Sequence, residues 1–307
     1  MAALFAGILP VFALIVIGYG LRKSNFLPDA TWRPIEKLSI NLLYPGFLVP
    51  AIWGADLSGG SAGAAGGAAV AAVIIVGACA LLAKPFLTIE GPAYTSVFQG
   101  VIRWNSFVFL PVIQAAFGAE GLALAAVMIA CIIPVTNIAC VAVLARWGAD
   151  QRGVSPLALT KAMLANPILV ACLTGLALNF LHVPPIPGVS DTLELLGGAA
   201  LPLGLIVAGA GLSFAEVARR KWTVASVTFV KLCIMPPLMW GLCILFGGDE
   251  LAQGTALLCG AAPGAAAAYL LARQMGGDAP LMAGIVALTT VGSALTIPIL
   301  LALFHLA

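Results

Sequence analysis

The sequence predicts an all-α polytopic membrane protein of ten spans, and three observations carry that reading: an apolar composition, recurring runs of spanning length, and basic residues confined to one side. Of 307 residues, 62% are hydrophobic and only 8% charged, against roughly 25% charged in a soluble domain. So little polar surface cannot coat a globule in water, so most side chains must face lipid or neighbouring helices.

Runs long enough to cross a hydrocarbon core of about 30 Å fall near residues 3–21, 34–53, 64–83, 97–117, 121–145, 160–181, 192–213, 222–246, 251–272 and 280–304. No basic n-region precedes the first, which reads as a retained span and not a signal peptide. The third is almost entirely Ala, Gly, Val and Ile, a composition suited to close helix packing. The fourth and ninth are expected to break at Pro111 and Pro263.

Basic residues are retained on the cytoplasmic side, which tests the count. The connections after spans 1, 3, 5, 7 and 9 hold Arg22, Lys23, Arg33, Lys37, Lys84, Arg146, Arg152, Lys161, Arg219, Arg220, Lys221 and Arg273. The opposite side carries acids only, among them Asp56, Glu120, Asp191, Asp249 and Glu250. Adding or removing one span would scramble this separation, so both termini are expected on the non-cytoplasmic side of a bacterial cytoplasmic (inner) membrane. Trp32, Trp53, Trp147 and Trp222 fall at predicted interfaces, as belt residues would.

Several function classes lose support. A net charge of +2 without a dense basic run argues against nucleic acid as a partner. The seven cysteines lie in apolar segments without C-x-x-C spacing and read as small packing residues. His182 and His305 stand singly at span ends, so neither a metal set nor a Ser/His/Asp arrangement is present, and no enzyme or cofactor is expected.

Five spans in each half, residues 1–150 and 151–307, would insert a duplicated unit upside down, giving two inverted five-helix repeats. A shift of about 157 residues carries spans 1–4 onto spans 6–9 and sets Pro111 near the counterpart of Pro263. Proline frees backbone polar groups that lipid cannot satisfy, and half-helix N-termini there would seat a carboxylate. A packing kink explains one such proline well; a pair at equal depth favours a binding site.

Several motifs in order then resemble a known family: N-x-x-x-x-x-P at Asn105 and Pro111, Asn166-Pro167 opening span 6, A-L-P-L-G-L-I-V-A-G at 200–209, Lys231 with Pro236, and A-P-G-A-A-A-A-Y-L-L-A-R-Q-M-G-G-D at 262–278. The chain resembles the bacterial branch of the auxin efflux carrier family, which includes malonate-type permeases and is related to plant PIN auxin carriers. The resemblance implies a bile-acid symporter/PIN-like fold with broken helices 4 and 9 crossing at the substrate site. It further implies a scaffold of helices 1, 2, 6 and 7, a mobile transport domain of helices 3–5 and 8–10, and elevator-type movement. Phe109 and Ala268 depart from the PIN pattern, which has glycine and proline there, so the helix 9 crossing would lean on Gly264 and the alanine run.

Candidate substrate contacts follow from polarity near the breaks: Asn105, Ser106 and Gln114 around Pro111, Gly264 and Tyr269 after Pro263, Asn137 in span 5, Thr289 in span 10 and Asn41 in span 2. Helix–helix hydrogen bonding is the competing role for each. Arg103 and Lys231 are the two basic residues well inside spans, where a central charge costs roughly 2.5–3.5 kcal/mol. Snorkelling and anion attraction both stay open for Arg103.

No acid falls at a predicted midplane, which favours an organic anion over a cation as cargo. An interior-negative potential of about 100 mV opposes uptake of each negative charge by about 2.3 kcal/mol, so concentrative uptake would need Na+ or H+. The expected partners are a small organic anion, lipid and a second copy of the chain in a homodimer. A Na+-coupled symporter is the alternative within transport; a membrane sensor, an intramembrane enzyme and a passive channel are weaker readings.

Overall fold

A computed structural model describes residues 2–55, 61–149 and 166–304. All regular structure among them is helical. The expected boundary between the two halves, the start of span 6 and His305 lie outside the described residues.

Helix α1 (Ala2–Lys23) is followed by α2 (Asp29–Leu38), which passes through one π-helical turn, Ser39–Leu43, into α3 (Tyr44–Trp53). The wide turn sends the Tyr44 N–H to the Ser39 carbonyl five residues back, just before Pro45, which has no N–H to offer. Helix α4 (Ser61–Ala83) leads through a 3-10 turn to α5 (Gly91–Ile102) and then α6 (Ser106–Trp147). Within α6 the backbone at Gly118 has φ 63° and ψ −150°, a conformation reserved for glycine. The chain folds back there, because a Cβ on Gly121 would lie 3.2 Å from the Ile113 side chain, whereas eight residues of straight helix span about 12 Å.

Then come α7 (Pro167–Phe180), α8 (Val189–Ala210) and the short α9 (Ala215–Arg219). Helix α10 (Lys221–Phe229) continues through a second π-helical turn, Val230–Ile234, into α11 (Met235–Leu245). Helices α12 (Glu250–Ala261) and α13 (Ala266–Gln274) meet at a 48° bend, and α14 (Ala279–Leu303) closes the chain.

Among the described residues, five helical stretches are long and apolar enough to cross a membrane: Ser61–Phe86, Gly91–Trp147, Val189–Ala210, Lys221–Leu245 and Ala279–Leu303. The bent pair α12 and α13 adds a sixth. Large apolar side chains cover the outside, with Phe180, Leu195 and Leu245 each about three-quarters exposed or more. A surface of that kind suits a hydrocarbon solvent.

Helix α1 packs along α8, and α3 lies against both α7 and α8. The α1–α8 contact is backbone on backbone: a Cβ on Gly18 would collide with the Ile206 carbonyl, and one on Gly209 with that of Ile15. Helices α4 and α12 pack on each other and on both α6 and α11, and α14 joins α5, α10 and α13. These two sets meet chiefly through α6.

Basic residues gather at one end of the bundle. There Arg22 pairs with Asp29 at 3.0 Å and donates to the Ala210 carbonyl at 2.7 Å. Arg220 pairs with Asp278 at 2.9 Å. The Asp278 loop is gripped by α5: its N–H donates to the Pro92 carbonyl at 3.1 Å, and its carbonyl accepts from Ser96 Oγ at 2.8 Å. At the other end Asn179 Nδ2 donates to the carbonyls of Ile52, Trp53 and Ala55.

Two tryptophans correct the interfacial-belt expectation. Trp53 is buried and donates from Nε1 to the Val183 carbonyl at 2.6 Å, and Trp32 is buried as well. They serve packing, whereas Trp222 is 80% exposed. Lys231 sits on the second π-helical turn, fully buried.

Candidate functional site

The fourth span does break, but not at Pro111. Helix α5 ends at Ile102, Arg103 to Asn105 are extended, and α6 starts at Ser106; Pro111 is buried inside α6. The cause is a capping residue. Asn105 adopts φ −96° and ψ 105°, and its Oδ1 accepts from the Phe107 N–H at 3.0 Å, starting the new helix. In the ninth span the break is where proline predicts it, over Ala262 to Ala265.

The two breaks satisfy each other. The Asn105 backbone N–H donates to the Pro263 carbonyl at 2.8 Å. Gly264 N–H donates to Thr289 Oγ1 at 3.0 Å, and that hydroxyl in turn donates to the carbonyls of its own helix. Backbone groups that lipid would leave unpaired are thus joined at the crossing.

Beside the crossing lies a cleft of about 640 Å³, measured out to its open mouth. One wall is the α5–α6 break, Arg103 to Phe107, and the facing wall is Ala265 to Ala267 at the start of α13. Ile133, Thr136 and Asn137 of α6, Asn166 and Ile168 at the start of α7, Glu36 of α2 and Ile40 of the first π-helical turn complete the lining. The N-termini of α6 and α13 therefore converge on one space, each bringing the positive end of a helix dipole. Among the described residues no side chain caps the α13 terminus, so its first N–H groups are open to a ligand there.

Charge and unmet donors point the same way. Arg103 sits in the wall; its guanidinium lies beside the buried Cys140 thiol of α6, and its Nη1 is shut off from water with no nitrogen or oxygen partner among the described residues. Trp104, only 7% exposed, keeps its indole Nε1 in the same condition. Two buried, unpaired donors in adjacent residues of a cleft wall are costly unless a ligand or another state engages them.

The cleft thus gathers Arg103, Asn105, Ser106 and Asn137 from the predicted contacts. Pro263, Gly264 and Thr289 form the joint beside it, in the hydrogen bonds just described. Gln114 and Tyr269 lie outside it, exposed on the bundle surface. Asn41 is outside too, exposed and bonded to the Lys37 carbonyl at 2.7 Å. Both Gln114 and Tyr269 were placed by distance from a proline, and helix rotation turns them away from the crossing.

Sequence reasoning missed Thr136, Asn166 and Glu36 as lining residues. Asn166 had a signal: Asn before Pro at a helix start is a cap pattern, and its Oδ1 accepts from the Ile168 and Leu169 N–H groups at 3.1 Å each. Glu36 had none, because its depth depends on how α2 leans over the break.

The profile of the family described as "Membrane transport protein" matches residues 3–301. The chain belongs to the membrane transport protein family. This is the auxin efflux carrier family that its motifs resemble. It is also similar to an "uncharacterized transporter" of Methanothermobacter thermautotrophicus, 24% identical over 299 residues, covering 95% of each chain. Family membership and the apolar helices make it an integral membrane protein of transport function.

Proposed function

We propose that this membrane transport protein is a secondary transporter of a small organic anion, a carboxylate such as malonate or an auxin-like acid, held in the cleft at the crossing of its two broken spans. The observation that carries this reading is the convergence of the α6 and uncapped α13 N-termini beside Arg103. Positive dipole ends and a guanidinium favour a carboxylate and disfavour a cation.

The finer architecture we propose is ten spans in two inverted repeats in the inner membrane, with both termini non-cytoplasmic. Support comes from the breaks, which start at Arg103 and Ala262, about 160 residues apart, and from basic residues gathering at one end. The cleft then opens toward the cytoplasm, since Glu36 follows Asp29 of the basic end by about 10 Å of helix. Helices α1, α2, α3, α7 and α8 would be the scaffold, and the set holding both breaks would move past it as an elevator.

Purified protein in liposomes should move a labelled mono- or dicarboxylate. Flux of a cation or neutral solute with none of any carboxylate would sink the proposal. Imposing a Na+ gradient in the same assay separates Na+-coupled symport, which would raise the flux, from Na+-independent transport.

A further inference from the structure

We infer that Glu36 takes up a proton when an anion fills the cleft, so that anion binding is proton-linked; this rests on the cleft being the anion site proposed above. Glu36 is the only carboxylate among the described residues that line the cleft. Ile40, one turn further along the chain, lines it too, so this face of the span is turned inward. Among the described residues no ion pair or hydrogen bond holds the Glu36 carboxylate.

The charges around it are few. On its own helix stand Arg33, one turn before on the same face, whose exposed guanidinium attracts the Glu36 carboxylate, and Lys37, also exposed. Across the cleft is Arg103, the group that would meet the anion. Asn137 and Asn166 are neutral, and α8, which packs on α2, carries Asp191 and Glu194 in its first turns at the opposite end.

An ionised Glu36 and a bound anion would share one cleft and repel each other. Protonating Glu36 removes the repulsion. The proton comes from bulk water onto a carboxylate oxygen, and no other bond changes. Filling the site with a monovalent anion then adds no net charge. Linkage is reciprocal: the proton strengthens anion binding by the factor by which the anion strengthens proton binding.

The test uses the full-length protein in detergent with acetate, benzoate and indole-3-acetate, which stay ionised between about pH 6 and pH 8. Wild-type affinity should fall about tenfold across that range. Glu36→Gln should bind at about pH 8 as tightly as wild type does at about pH 6, with the pH dependence gone. In unbuffered solution at about pH 8 the wild type should consume close to one proton per anion bound, and the variant none.

Wild-type binding without pH dependence would overturn the inference while leaving the anion site standing. Weaker binding by Glu36→Gln at every pH would also overturn it. No binding of any probe at any pH would remove the anion reading itself, and this inference with it. Should Glu36→Gln fail to fold, proton uptake by wild type decides alone.

Discussion

The backbone N–H of Asn105 and the carbonyl of Pro263 meet at 2.8 Å, so a break in the first half of the chain is closed by a break in the second. That bond uses main-chain atoms and survives side-chain replacement at Asn105. What replacement removes is the cap on Phe107.

Asn105→Ala should therefore insert and fold, with a loss of about 1 kcal/mol typical of an N-cap. Carboxylate flux should fall markedly, because the end of α6 loses its defined geometry. Asn105→Ser, which can still cap, should recover the unfolding temperature. Unchanged uptake in correctly inserted Asn105→Ala would remove this residue from the site.

Arg103→Gln should abolish measurable anion binding while leaving thermal stability within about 1 kcal/mol, since a buried unpaired donor is lost along with the charge. Arg103→Lys keeps the charge without the planar fork and should bind at an intermediate level. Isothermal titration with the same carboxylates reads both outcomes.

Gly204 supports the contact between α3, α6 and α8. A Cβ there would lie 2.5 Å from Tyr44 Oη and 2.9 Å from Phe107 Cδ1, while the Tyr44 and Phe107 rings pack edge-on at 5.0 Å. Gly204→Ala should cost about 1–3 kcal/mol through overpacking. Tyr44→Phe removes a buried hydroxyl that has no partner among the described residues, so the double variant should recover part of that loss. A thermal double-mutant cycle checks the coupling.

Thr289→Val deletes the acceptor of the Gly264 N–H within a buried joint. The expected loss is about 1–3 kcal/mol. Thr289→Ser should be near wild type. Hydrogen exchange at Gly264 should rise in the valine variant and stay slow in the serine one.

The all-helical, membrane-spanning class was legible because hydropathy is a sum over some twenty residues and tolerates local error. The break in span 4 was misplaced because proline is a louder signal than asparagine. Yet Pro111 loses one donor inside a helix, while Asn105 and its neighbours leave the helix altogether. The π-helical turns at Ser39–Leu43 and Val230–Ile234 change no composition and could not be read. Residues chosen beside a break, Asn105 and Ser106, reached the cleft; Gln114, two turns away, did not, because small errors in helix phase become opposite faces.

The grip of α5 on the Asp278 loop gives the Asn105–Pro263 joint a second anchor along the same pair of broken spans. Two rods pinned at one point can swivel; pinned at two, they keep a constant mutual angle. The positive ends of α6 and α13 then aim along fixed lines whatever the rest of the bundle does. Cargo would be sorted by the direction in which its negative charge projects from its body as much as by its size.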